Sequence, residues 1–276
     1  MMLDTMTNYP PFRLGERKHV MIGDLALAYL DDEAWHLEPV ILVHGFTDSA
    51  NTWDLLVPWL AEHRRIIRLD LRGHGGSMRP DSGYDLDSLA GDLIRFTAAL
   101  GIGQADYVGH SLGSLVVARL AALAPERVRA MVLISSTASV DDSATMRVLH
   151  DSIAGLRDPI DPESEFLRGW CNSPTPVDVG FVARERQMAA QMPARLWQTI
   201  LREALDLGDL DRNFAQVTAP SLLLWGDADA IFDQPHRDSL IRAMPHGKVR
   251  IYAGLGHNPF WEQPQRVAAD ILDHLQ

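Results

Sequence analysis

Cysteine is all but absent from this chain of 276 residues: Cys171 stands alone, so no intrachain disulfide can form. Cysteine-rich zinc sites and paired-cysteine redox motifs are excluded with it. Long apolar runs are missing too, and none approaches the ~18 residues that a membrane-spanning helix requires. Positive charge is scarce, since Lys+Arg 25 against Asp+Glu 37 leave a net charge of −12. A nucleic-acid binder draws its affinity from cations that neutralise phosphates, so this balance argues against that class. Before Lys18, two prolines and scattered charges occupy the place where a signal peptide carries an apolar stretch. The expectation is a soluble, cytoplasmic protein with no nucleic-acid partner and no membrane span. Its oligomeric state is left open.

What is present is ordinary for a globular chain, with 46% hydrophobic and 22% charged residues. Short apolar runs alternate with amphipathic stretches, the pattern of βαβ units in a mostly parallel sheet. The runs are Val40–Val43, Arg65–Leu71, Tyr107-Val108, Met131–Ile134, Leu222–Trp225 and Val249–Tyr252, each closed by glycine or serine within a few residues. Ahead of them, His19–Ile22 and Leu25–Tyr29 around Gly23-Asp24 read as a hairpin. Leu89, Leu93, Phe96 and Leu100 line one face of a helix, with Asp87 as its N-cap and Gly101 as its stop. Leu112–Leu123 is apolar nearly all round and predicts a buried helix; Arg266–Leu275 predicts an amphipathic C-terminal one.

The alternation fails between Ile134 and Pro220, where no β-branched run appears. Ala144–Leu156, Glu163–Trp170, Val179–Gln191 and Ala194–Leu207 carry helical spacing instead, punctuated by prolines. The expected organisation is a core of residues 1–136 and 217–276, with 137–216 inserted as a helical cap.

Gly109-His110-Ser111-Leu112-Gly113 fits G-x-S-x-G, a weak pattern by itself. Here a strand precedes it and a helix follows, the context that a nucleophile elbow requires. A serine hydroxyl needs a base to take its proton, and the base needs an orienting group. Groups that act in open α/β sheets gather at the carboxyl ends of strands. Two later strand ends supply the missing pair, in Gly226-Asp227-Ala228-Asp229 and Gly254-Leu255-Gly256-His257. Of the two carboxylates, Asp229 lies far enough past the turn glycine to reach the histidine, whereas Asp227 is placed to fix the turn.

With these motifs on the page, the chain resembles an α/β-hydrolase-fold serine hydrolase from about Val40 to Glu262. His44-Gly45-Phe46 is similar to the family's oxyanion loop, and Asp70-Leu71-Arg72-Gly73-His74-Gly75-Gly76-Ser77 to the segment after the next strand. Gly109–Gly113, Trp225–Asp229, and Gly256-His257 with Glu262 and Pro264 match the remaining loops. The resemblance implies Ser111 as nucleophile, His257 as general base and then acid, and Asp229 as orienting carboxylate. It implies the backbone N–H groups of Phe46 and Leu112 as the oxyanion hole, and it implies no metal and no organic cofactor. The expected substrate is a small-molecule ester or lactone. Ring-cleavage-product carbon–carbon hydrolases and cofactor-free haloperoxidases are also similar, the former lacking a match for their glycine-rich loop after His44. A non-catalytic ligand-binding member of the fold is the reading from outside the enzymes.

Several further residues are candidates for the substrate pocket: His110, Trp170, Met188, Met192, Trp197, Phe260 and Trp261. For each, packing in the protein interior is the competing role. His44 is expected to brace its loop, Arg184 and Arg186 to lie on a solvated helix face, and Cys171 to pack without reacting. The Asp70–Ser77 stretch lacks the Lys-Ser/Thr pair of a phosphate cradle and reads as a structural turn.

Overall fold

The computed structural model describes residues 15–139, 144–205 and 214–276. Eight strands form one sheet: β1 (Lys18–Ile22), β2 (Leu25–Asp31), β3 (Pro39–Val43), β4 (Arg65–Leu69), β5 (Ala105–His110), β6 (Val128–Ile134), β7 (Ser221–Gly226) and β8 (Lys248–Tyr252). Their order is β1-β2-β4-β3-β5-β6-β7-β8. β1 and β2 form the antiparallel hairpin and β2 meets β4 antiparallel; from β4 to β8 every pairing is parallel. Parallel strands need crossovers, and the crossover helices cover both faces. This is why the central strands read as continuous apolar runs: β3, β4, β5 and β7 are buried at nearly every position.

The pleat sorts each strand between two cores. Ile41, Val43, Ile67, Leu69, Tyr107 and Leu133 face one core, with α2 (Leu86–Ala99) and α3 (Leu112–Leu123). Val40, Leu42, Ile66, Val108 and Val132 face the other, with α1 (Val57–Leu60) and the C-terminal helix. α2 begins two residues earlier than the sequence reading had it. Asp85, not Asp87, is the N-cap, accepting from the Ser88 N–H at 2.9 Å, while Gly101 follows at φ +72°.

Between β6 and β7 the described elements are helices and no strand: α4 (Ala144–Ala154), α5 (Glu165–Trp170), α6 (Val179–Ala190) and α7 (Ala194–Ile200), then a π-helical turn at Leu201–Leu205. The sequence reading of a helix to Leu207 runs beyond the described residues by two positions, and residues 1–14 of the N-terminal reading also lie outside them. β7 and β8 are joined through α8 (Gln234–Ala243), a helix with too few apolar positions to announce itself in the sequence. α9 (Pro259–Glu262) and α10 (Pro264–His274) close the chain, and no helix of the described residues is long and apolar enough to cross a membrane.

Candidate active site

The strand-to-helix turn at the end of β5 holds Ser111 at φ 49°, ψ −119°, a left-handed backbone that costs a non-glycine residue about 1–3 kcal/mol. Two glycines make the turn possible. A Cβ on Gly109 would lie 2.5 Å from the Gly113 carbonyl oxygen, and one on Gly113 would lie 2.2 Å from that of Val43. α3 therefore starts directly against β3 and β5. Ser111 donates its N–H to the Ile134 carbonyl, Ser114 N–H and Oγ both donate to the Ser111 carbonyl, and the side chain of Ser111 opens onto a pocket.

The other two expected residues arrive from the ends of β7 and β8. His257 Nδ1 donates to Asp229 Oδ2 at 2.8 Å, which leaves Nε2 of the neutral ring as an acceptor. Asp229 Oδ1 accepts from the backbone N–H groups of Ile231 (2.8 Å) and Phe232 (3.0 Å), so the carboxylate is fixed on both sides. Burial by itself pushes this carboxyl up, yet His257 and the two N–H donors outweigh it and hold Asp229 below its ordinary range. The backbone of His257 is anchored as well: its carbonyl accepts from Ser135 Oγ at 2.8 Å and from His110 Nε2 at 3.0 Å. Ser135, itself at φ 48°, makes one of these bonds, and no sequence motif singles it out. Asp227 turns the other way, accepting from the Gly254 N–H at 2.6 Å and tying the two loops together.

On the opposite side, the loop after β3 carries Phe46. His44 Nδ1 donates to the Gly45 carbonyl at 2.8 Å, and its Nε2 accepts the Leu71 N–H at 3.0 Å. Burial holds His44 neutral, well below the usual imidazole range, as both bonds require. The Asp70–Ser77 turn is filled by its own carboxylate: Asp70 accepts from Ala50 N–H (2.6 Å) and Gly76 N–H (2.8 Å) and pairs with Arg17. Glu262 Oε1 accepts from Gly256 N–H at 2.7 Å and Oε2 from Thr175 Oγ1 at 2.5 Å, linking the histidine loop to the segment between β6 and β7.

The pocket is a narrow cavity of about 40 Å³ with Ser111 and His257 in its wall. Of the expected lining residues it contains His110, Trp170 and Trp261. Four others do not line it. Trp197 is fully buried behind the wall, its ring against Phe46 and Trp170 and its Nε1–H donated to Ala189. Phe260 packs between Trp53 and His110, Met192 is buried in the main core, and Met188 lies half-buried on α6. Asp48, Met146, Leu149, Cys171, Leu205, Ile231, Phe232 and Asn258 take their places. The signal for Asp48 was available, as a lone acid two residues past Phe46; that of Met146 or Leu149 lay only in which way α4 faces. Burial raises the Cys171 thiol, which stays protonated. Arg184 pairs with Asp54 at 2.7 Å and Arg186 with Glu163 at 2.9 Å, so neither guanidinium is a pocket group.

This sheet order, with its elbow, acid and histidine on three strand ends, belongs to a fold shared by many hydrolytic enzymes. The chain belongs to the α/β-hydrolase fold family, whose model matches residues 38–264. It is similar to a hydrolase from Pseudomonas aeruginosa PA01, with a TM-score of 0.83 and 25% identity over 95% of this chain and 98% of that one. It is 30% identical over 247 residues to the dihydrolipoyllysine-residue acetyltransferase component of the acetoin cleaving system of Pseudomonas putida. That match takes in 86% of this chain but only 63% of the longer relative. A non-heme chloroperoxidase of Streptomyces lividans is 28% identical over 251 residues, 85% of this chain and 90% of that protein.

Proposed function

We propose that this protein is a serine esterase that cleaves a carboxylic ester or lactone through an acyl-enzyme. The observation that carries the reading is the 2.8 Å bond between His257 Nδ1 and Asp229 Oδ2, in a histidine that shares one pocket with the strained Ser111. In this mechanism His257 Nε2 takes the Ser111 proton as Oγ attacks the carbonyl carbon. The carbonyl oxygen, now negative, is met by the backbone N–H groups of Phe46 and Leu112, the latter at the N-terminus of α3. The imidazolium, stabilised by Asp229, then gives its proton to the departing alcohol. A water deprotonated by the same nitrogen attacks the acyl carbon, and Ser111 leaves with the proton returned.

A pocket walled by Phe46, Met146, Leu149, Trp170, Leu205 and Phe232 suits a small apolar acyl or alcohol group. Hydrolysis of an anionic ring-cleavage dienoate fits less well, because Asp48 is in the wall and no lysine or arginine is among its described lining residues. Perhydrolysis is the second reading, favoured by the chloroperoxidase relative; it needs the same three residues with hydrogen peroxide in place of water. Labelling with an organophosphonate tests the proposal. Stoichiometric modification of the wild type at Ser111 and none in Ser111→Ala is expected; a wild type that neither labels nor cleaves any p-nitrophenyl ester overturns it. Product analysis with and without peroxide separates the two readings.

A further inference from the structure

Two hydrogen-bond acceptors lie 3.6 Å apart in the pocket wall. His110 Nε2 is bonded to the His257 carbonyl, which can only accept, so Nε2 carries the ring proton and the neutral ring presents a bare lone pair at Nδ1. That Nδ1 is buried and without a hydrogen-bond partner; Asp48 Oδ2 stands 3.6 Å away, beyond bonding reach. Protonating His110 would supply the missing donor, but burial disfavours the imidazolium against the pull of Asp48 and lowers its pKa. Gly45 lies against both atoms: an added Cβ would be 2.7 Å from His110 Nδ1 and 2.9 Å from Asp48 Oδ2, so a side chain there would crowd the pair. Both residues line the same pocket as Ser111. A buried acceptor left bare is costly, and His110 Nδ1 set beside a carboxylate oxygen makes a site for a donor.

We infer that Asp48 Oδ2 and His110 Nδ1 form a donor-binding subsite that selects esters carrying a hydroxyl or ammonium group near the scissile carbonyl. Its position sets the reach: Asp48 lies two residues beyond Phe46 on the proposed oxyanion loop, and His110 directly precedes Ser111. Its charge sets the sign: Asp48 is a carboxylate with no lysine or arginine among the described lining residues, so donors are accepted and carboxylate-bearing substrates rejected. The substrate assignment rests on the esterase reading above, whereas the subsite itself is a matter of binding.

The test compares methyl 3-hydroxybutanoate and methyl 3-aminobutanoate with methyl 3-methylbutanoate, which replaces the donor by a methyl group of similar size. On the alcohol side, 2-hydroxyethyl butanoate is compared with propyl butanoate. In the wild type, kcat/KM for at least one donor ester exceeds that of its methyl counterpart by about tenfold or more, as expected for a hydrogen bond to a charged group. In Asp48→Asn the new amide N–H₂ can bond His110 Nδ1 itself and close the subsite, so that ratio falls to about one. Which arm responds distinguishes a hydroxyl from an ammonium ligand. Ratios below threefold for every pair in the wild type, or a ratio that survives Asp48→Asn, overturn the inference. Should no ester be cleaved, the esterase reading fails by itself, and the subsite is judged by calorimetry on Ser111→Ala. Tighter binding of a donor ester than of its counterpart, lost when Asp48→Asn is added, supports it; equal or absent binding overturns it.

Discussion

Asp227 and Asp229 lie two residues apart on one loop and accept from different partners. Asp229 Oδ2 takes the His257 Nδ1–H at 2.8 Å, and Asp227 Oδ1 takes the backbone N–H of Gly254 at 2.6 Å. One carboxylate orients an imidazole; the other ties the β7 loop to the β8 loop. Replacing the orienting carboxylate by an amide can hold the histidine in the wrong tautomer, which in the serine proteases lowers kcat by about 10⁴. Asp229→Asn is expected to lower kcat for a p-nitrophenyl ester by about 10²–10⁴. Asp227→Asn is expected to stay within about tenfold, or ~1.4 kcal/mol of barrier. Exchange of the two phenotypes would make Asp227 the acid.

The elbow makes a prediction about stability. Gly113 has backbone oxygens where a side chain would go, Val43 O at 2.2 Å and His44 O at 2.4 Å from an added Cβ. Those atoms belong to β3 and its loop and cannot move without displacing the Phe46 N–H. Gly113→Ala is therefore expected to cost about 3 kcal/mol or more, read as a lower urea midpoint or loss of folded protein. Gly103, with nothing within 4 Å of an added Cβ, is the control, and Gly103→Ala is expected to change stability by no more than about 1 kcal/mol. Equal effects at the two positions would mean that the elbow yields.

Trp170 closes the pocket from the helices between β6 and β7. Its ring meets Phe46 edge-on at 5.9 Å and its Nε1–H donates to Thr47 Oγ1 at 2.9 Å, fastening α5 to the loop that bears Phe46. Removing the indole opens the apolar end. Trp170→Ala is expected to shift the ratio of kcat/KM for octanoate over butanoate p-nitrophenyl esters upward by at least about threefold, a modest share of what pocket methylenes contribute. An unchanged ratio would place chain-length selection elsewhere.

The strands and their ends were legible because parallel strands buried on both faces leave uninterrupted β-branched runs, and glycine marks where each run must turn. Ser111, Asp229 and His257 sit at three such ends, so the candidate site could be assembled from the sequence. The pocket wall could not. Trp170 on α5 and Trp197 on α7 are both large apolar side chains of short helices, yet one lines the cavity and the other is sealed behind it. Which face a helix turns inward is decided by tertiary packing, and α6 illustrates it: Phe181, Glu185 and Ala189 are its buried positions, a pattern in which one of three is charged. Periodicity gives a face from apolar residues, and a buried glutamate subtracts from that signal.

Glu185 yields the final prediction. It is only 3% exposed; its Oε1 accepts weakly from Arg184 at 3.3 Å, and its Oε2 has no partner. Burial, with Asp48 and Asp54 adding to it against Arg184, pushes this carboxyl from 4.5 up to about 8. The folded state thus keeps the proton between pH 4.5 and about 8 while the unfolded chain releases it. Where the native state binds more protons than the unfolded state, stability falls as pH rises. Glu185 therefore costs nothing below pH 4.5, then progressively more, by up to ~1.4 kcal/mol per pH unit, levelling above pH 8. The full term is of the order of 5 kcal/mol. Glu185→Gln keeps the shape and cannot ionise. The difference in unfolding free energy, variant minus wild type, is expected to grow in the variant's favour from pH 5 to pH 8 and to stay level to pH 9, measured by urea titration at each pH. A difference that does not vary with pH would mean that Glu185 is ionised in the folded protein, with Arg184 compensating its burial.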